Sequence, residues 1–325
     1  MILTVLGANG PYPSAGGACS GYLLLSDSGE TKLLLDCGSG VLARLAELCP
    51  VSKLSAVVLS HLHYDHMSDI LPMQYQLDFE REAPLKVFCP ATPARQRSLL
   101  GGRLDLYPMR DAVVGEMKLE FLPVNHPVET YAVRVSCDGA TMVYTGDTNL
   151  CPALSLFADG AALLLADAGL SEADWTDEKP HLNPRLCAEL AKEARVGALV
   201  LTHLSPRYDA EALLDEARPV FPDVRLAQAG LRLRVSARRA VRVAARTGLR
   251  GAGGGRGLRA GAVYVGLGRR MACARGAASG NLGCVLSARA WKARVLRTAG
   301  GDSVRLCRIR RTARAASAES GTGKI

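Results

Sequence analysis

Ser60-His61-Leu62-His63-Tyr64-Asp65-His66-Met67-Ser68-Asp69 is the stretch on which the reading of this chain turns. Three histidines and a carboxylate fall within positions 61–66, in a chain that holds only six histidines. The run before it, LSAVVL at 54–59, is continuously apolar and reads as a buried strand. Metal-type ligands therefore stand at the mouth of a strand. In extended chain His61, His63 and Asp65 project to one side, because side chains alternate with a period of two. His66 breaks that alternation, so the chain is expected to turn there. The turn lets His61 and His63 face one point while Asp65 and His66 face a neighbouring one. That spacing suits two adjacent metals.

The other histidines are His126, His181 and His203. Each follows a predicted strand or lies in a loop. None sits in the middle of an apolar helix, where a core histidine would be expected. His126 in LPVNHPVETY comes just past the predicted strand MKLEFLPV. Asp147 in VYTGDTN ends a strand, with Gly146 leaving room for close approach. His203 in LVLTHLSP ends another. With the 61–66 stretch they complete seven ligands: three histidines for one site, two histidines and an aspartate for the other, and a carboxylate to bridge. Histidine and carboxylate donors without thiolate suit Zn²⁺ best, with Mn²⁺ or Fe²⁺ as alternatives.

Around these ligands the first 235 residues mix strands and helices. MILTVLG, SGYLLLSD, TKLLLDCG and LKVFC read as strands, as do TYAVRVSC, ATMVYTGD, AALLLADA, GALVLTH and DVRLAQ. Helical spacing marks VLARLAELC, the residues after Met67, RLCAELAKEA and DAEALLDEARPVF, and RQRSLLGGRL reads as a short helix. Asn183-Pro184 opens RLCAELAKEA well, since Asn caps orphan N–H groups and proline at the first turn loses nothing. Strands in runs, with helices between others, predict an α+β architecture of two facing sheets with helices outside, not an alternating barrel.

The formal charge of +9 averages two unlike segments. Residues 1–235 carry 20 Lys and Arg against 29 Asp and Glu, a net of −9, whereas residues 236–325 carry 20 against 2, a net of +18. The first segment is expected to be the catalytic domain. The second is an Arg/Gly/Ala-rich, low-complexity extension, for which three readings stand. It is a disordered basic tail that binds polyanions, a small folded appendage, or an irrelevant extension such as a shifted reading frame. The N-terminus lacks the pattern of a signal peptide, and no apolar run approaches the roughly 20 residues of a membrane helix. Ten cysteines include no C-x-x-C pair, which fits buried free thiols. A cytoplasmic enzyme with no membrane partner is the expectation.

SHLHYDH, followed in order by His126, Asp147 and His203, resembles the H-x-H-x-D-H signature of the metallo-β-lactamase fold superfamily. LGANGPYP, LLLDCGSG, VYTGDT and HLNPRLCAELAKEARVGALVLTHLSPRY are most similar to its ribonuclease Z and phosphodiesterase branch. The resemblance covers about residues 1–230. It implies a four-layer αββα sandwich with the site along one edge. By that resemblance His61, His63 and His126 hold one metal, Asp65, His66 and His203 hold the other, and Asp147 bridges. It implies further that His181, opening the HLNP helix, assists catalysis at a phosphate, and that a homodimer is possible.

The implied reaction is hydrolysis by a hydroxide shared between two zinc ions. Metal binding lowers the pKa of water from about 15.7 to roughly 7, on the order of 12 kcal/mol. Asp65 would orient the nucleophile, and His181 would stabilise charge and protonate the leaving alkoxide. Two departures argue against transfer-RNA 3′ processing. Only 20 residues separate His126 from Asp147, too few for the family's RNA-gripping arm, and DCGSGVLARL replaces its usual DCGEGTQ. An acidic, armless domain suits a small phosphodiester such as a cyclic nucleotide, or a short nucleic-acid 3′ end. A lactone, thioester or other carboxylic derivative is the alternative substrate, and an armless ribonuclease Z-type endonuclease is another.

Overall fold

The computed structural model describes residues 1–237 and the backbone of a two-residue strand at Arg242–Val243. The rest of the basic extension expected at 236–325 lies outside the described residues.

The chain opens with an antiparallel meander of β1 (Ile2–Gly7), β2 (Gly21–Leu25) and β3 (Lys32–Leu35). After α1 (Val41–Ala46) come β4 (Ala56–Val58), α2 (Tyr64–Met67), α3 (Ile70–Glu80), β5 (Leu85–Phe88), α4 (Ala94–Arg97) and β6 (Leu104–Tyr107). Their strands extend the sheet in parallel from β3. A second sheet repeats this plan. β7 (Ala112–Val114), β8 (Met117–Pro123), β9 (Tyr131–Cys137) and β10 (Ala140–Tyr144) form a meander. After α5 (Ala153–Phe157), parallel additions follow as β11 (Leu163–Asp167), α6 (Pro184–Glu193), β12 (Leu199–Thr202), α7 (Ala210–Ala217) and β13 (Val224–Leu226). β14 (Arg232–Arg234) then returns beside β1, with β15 (Arg242–Val243) outside it. The first sheet has eight strands and the second seven.

Burial explains the layering. β11 is buried at every position, as a parallel strand covered on both faces must be. Leu3, Val5, Tyr22, Leu24, Leu33 and Leu35 of the first sheet meet Leu119, Val133, Val135, Met142, Tyr144 and Leu165 of the second in one inner core. The alternate residues Leu23, Leu34 and Val57 turn outward onto Val41, Leu45, Ile70, Met73 and Leu77 of α1 and α3. Leu164, Leu199 and Leu201 do the same towards Cys187, Ala188 and Ala191 of α6. These are the four layers of an αββα sandwich.

α6 starts where expected, with Asn183 Oδ1 accepting from the Leu186 amide at 2.8 Å and Pro184 in the first turn. The short elements β6, β7, β14 and α5 were not anticipated. RQRSLLGGRL is helical only at its start, and its last residue Leu104 already belongs to β6. The 20 residues between His126 and Asp147 form a hairpin turned by Asp138 and Gly139, both at positive φ, the geometry of a tight two-residue loop. Among the described residues no helix is long and apolar enough to cross a membrane, and Cys19, Cys37, Cys49, Cys89, Cys137 and Cys187 are buried free thiols.

Candidate metal centre

The ligand-type side chains gather where the parallel strands end. β4 delivers the chain to a bend at Ser60, residues 61–63 follow without regular structure, and His63 is the N-cap of α2 in extended geometry at φ −71, ψ 151. The chain therefore turns at Tyr64, not at His66 as the spacing suggested. A helix of four residues is too short to leave a periodic signature. The outcome is still two groups: His61 and His63 point one way, while Asp65 and His66 sit on the helical turn. His126 comes from the β8–β9 loop, Asp147 follows β10, and His203 follows β12.

His63 Nδ1 lies 3.1 Å from His61 Nε2 and 3.2 Å from His126 Nε2. His203 Nε2 lies 3.1 Å from Asp65 Oδ2 and 3.2 Å from Asp147 Oδ2. His66 Nε2 is 3.5 and 3.3 Å from the same two oxygens. Asp147 Oδ2 also stands 3.7 Å from His61 Nε2, so one carboxylate adjoins both groups. Four-coordinate zinc, with bonds of about 2.0–2.1 Å, keeps its donor atoms roughly 3.3 Å apart. Both groups match that spacing. The buried atoms His66 Nε2 and Asp147 Oδ1 have no hydrogen-bond partner, an expensive arrangement unless a cation takes their lone pairs. The donor set thus fits divalent ions.

Backbone strain concentrates here too. His203 and Asp36 adopt φ of 54° and 55°, a region that costs a non-glycine residue about 1–3 kcal/mol. Gly10 packs so closely on His203 that an added Cβ would lie 2.0 Å from Nε2.

Behind these side chains stands a layer of buried partners that the sequence reading missed. Asp36, at the end of β3, accepts from the Ser60 amide at 2.7 Å, the Ser60 hydroxyl at 2.9 Å and the Tyr144 hydroxyl at 2.7 Å. Its Oδ2 also faces His66 Nδ1 at 2.8 Å. A carboxylate only accepts, so the proton is on His66 Nδ1 and Nε2 is left towards the site. Asp167, at the end of β11, holds His181 Nδ1 at 2.9 Å and faces His203 Nδ1 at 3.4 Å. It also accepts from the amides of Thr148 and Gly169, both at 3.0 Å. Pro180 O faces His126 Nδ1 at 3.1 Å and can only accept, which leaves His126 Nε2 aimed at His63. The available signal was an acid closing an apolar run, LLLD at Asp36 and LLLAD at Asp167, since such carboxylates are buried and must be paired. His181 itself is 17 % exposed, and its ring stacks on His203 at 4.8 Å.

Electrostatics divides the histidines. Burial, together with the neighbouring His66, pushes His61 well below its ordinary value, and burial lowers His63 and His126 as well. Burial also opposes charge on His66 and His203, but Asp147 and its neighbours outweigh it. His66 is raised well above the usual range and His203 to about 10. Burial likewise opposes ionisation of Asp65 and Asp147, yet His66 and His203 hold both carboxyls far below normal. His181 is raised because Asp167 overcomes its burial.

Sandwich, strand-end histidines and shared aspartate together define a metal-dependent hydrolase. Residues 31–204 match the family described as the beta-lactamase superfamily domain, and the chain belongs to that family. It is 34 % identical over 241 residues to the probable metallo-hydrolase YhfI of Bacillus subtilis, covering 71 % of this chain and 98 % of that protein. The crystal structure of YhfI aligns with a TM-score of 0.68 at 33 % identity over 71 % of this chain and 98 % of the other. Ribonuclease Z of Methanopyrus kandleri is 29 % identical over 278 residues, 72 % of this chain and 98 % of that protein. The short form of human tRNase Z shares the fold, with a TM-score of 0.60 at 19 % identity over 73 % and 100 % of the two chains.

Proposed function

We propose that the centre holds two Zn²⁺ ions, with Mn²⁺ or Fe²⁺ as substitutes, and hydrolyses a small phosphodiester or a nucleic-acid 3′ end. His61, His63 and His126 hold one ion, Asp65, His66 and His203 the other, and Asp147 is shared. The observation that carries this reading is the pair of donor groups, each with contacts of 3.1–3.5 Å, and the Asp147 carboxylate oxygen that belongs to one and stands 3.7 Å from His61 of the other. Bound ions of this kind supply Lewis acidity and a water of lowered pKa.

The chain's own residues divide the remaining work. The Asp65 carboxylate, fully ionised beside His203, orients the attacking water. His181 is held through Nδ1 by Asp167, so Nε2 is the atom it presents. Its raised pKa keeps a proton there, which passes to the departing alkoxide as the P–O bond breaks. Water adds to phosphorus, and the products are a phosphomonoester and an alcohol. The relative named ribonuclease Z supports a phosphodiester substrate. The tight Asp138–Gly139 turn supports a small or single-stranded one. The activity is proposed to reside in residues 1–235 of a cytoplasmic protein.

The test is turnover and metal content with bis(p-nitrophenyl) phosphate, cyclic AMP, a lactone and a thioester, on the full chain and on a version ending at Val235. Two zinc ions per chain and phosphodiester cleavage are expected in both. Preference for the lactone or thioester would move the assignment to carboxylic derivatives.

A further inference from the structure

Residues 168–183, between β11 and α6, form a long connection whose regular structure is one 3-10 turn at Glu172–Asp174. Connections of this length without structure of their own are uncommon and usually functional. This one ends in Pro180 and His181. Pro180 orients His126, and His181 stands over the centre, so its placement sets two site groups at once.

Much of that placement falls to one buried side chain. Asn149 is 1 % exposed and lies two residues past Asp147. Its Nδ2 donates to the carbonyls of Thr176 at 3.1 Å, Asp177 at 3.0 Å and Lys179. Its Oδ1 accepts from Trp175 Nε1 at 3.0 Å and from the Leu150 amide at 2.8 Å. Its own amide donates to Asn125 O at 2.9 Å, beside His126. One residue therefore ties together the loops carrying Asp147, His126 and His181. A short carboxamide is suited to this: it offers two donors and an acceptor within one compact group. Aspartate would be isosteric but would turn an acceptor on three carbonyls.

We propose that Asn149 is a positioning residue. It holds residues 175–180 so that Pro180 O fixes the His126 imidazole with Nε2 facing the metal centre and His181 Nε2 facing the reacting group. This rests on the metal-centre assignment above, but its test does not depend on turnover.

The experiment uses the full chain, its Asn149→Ala variant and the isosteric Asn149→Asp variant. Hydrogen exchange reads residues 170–181, ¹⁵N NMR reads the His126 tautomer, and zinc titration reads affinity. In both variants, exchange should rise at least tenfold in 170–181 and stay unchanged in β10–β12. His126 should pass from the Nδ1–H form to a mixture, and zinc affinity at the three-histidine group should fall about 10–100-fold, as loss of an orienting partner costs. Trp175→Phe, which removes one of these contacts, should produce a smaller rise in exchange. Unchanged exchange and tautomer in a folded variant overturn the proposal. If Asn149→Ala fails to fold, Asn149→Asp decides. If the parent itself binds no zinc, the metal reading falls, while the exchange and tautomer comparison still decides the role of Asn149.

Discussion

The two halves of the centre draw on the same side chain and leave it in opposite states. His61, His63 and His126 are lowered by burial. His66 and His203 are as deeply buried as His61, yet both are raised. Dielectric alone would lower all five. The difference is where the carboxylates stand: Asp65, Asp147, Asp36 and Asp167 all face His66 or His203. One half is thus a neutral cage of lone pairs, and the other a cluster in which protons stand in for a cation. Asp147 joins them.

The contrast breaks most visibly at the joint. Asp147→Ala should lose both ions and take turnover below detection, because each half loses the oxygen that neutralises its ion. His126→Ala and His203→Ala should each lose one ion and keep the other. Metal analysis of the three variants checks this, and two ions in Asp147→Ala would show the halves to be independent. His181 belongs to neither half on the proposed reading. His181→Ala should lower turnover by about 10²–10⁴, the usual contribution of a proton-transfer group, with metal content unchanged. If that variant lost metal, His181 would have to be counted as a ligand.

Acidity sharpens the same contrast. A raised pKa means that His203, and His66 with it, carry protons at neutral pH that an incoming cation must displace. Affinity of the carboxylate half should therefore rise with pH, by up to about tenfold per unit for each proton displaced. The three-histidine half, lowered below 6.5, is already deprotonated at pH 7. Its affinity should be flat above neutrality and fall only on acidification. Calorimetric titration of Zn²⁺ at pH 7, in buffers of different ionisation heat, should show the ion of the carboxylate half releasing more protons than the other, by about the two carried by His66 and His203. Equal release would erase the distinction.

All seven residues that the structure gathers in the two groups were named from the sequence, because a dense H-x-H-x-D-H run and strand-end residues are local features. The four-layer fold was legible for a related reason: strands such as LLLAD and the amphipathic α6 carry their burial in their own pattern. The partner layer was not. Asp36 and Tyr144 are 108 positions apart and meet only because β3 and β10 lie in facing sheets. Nothing in either segment's periodicity announces that contact. The turn at Tyr64 was misplaced because a side-chain alternation of three residues cannot tell an extended segment from one that enters a helix at its last member.

Tyr144→Phe probes that illegible layer and should have the smallest effect. The ring packs against Tyr22 with centroids 5.1 Å apart, and that packing survives the change. Burial, with Asp36 beside it, raises the phenol well above its ordinary value, so the hydroxyl is a permanent donor. Removing it takes one donor from Asp36 Oδ2, which still has the Ser60 hydroxyl at 2.9 Å and His66 Nδ1 at 2.8 Å. A hydrogen bond to a charged group contributes about 1.5–3 kcal/mol, so denaturant unfolding should show a loss in that range. Zinc affinity should change by less than about tenfold, and only in the carboxylate half, since Asp36 reaches the centre through His66. A shift in the three-histidine half instead would mean that Asp36 acts through Ser60, whose hydroxyl lies 3.1 Å from His61 Nδ1. The partner layer would then couple the two halves, in addition to Asp147 and the His61–His66 ring contact.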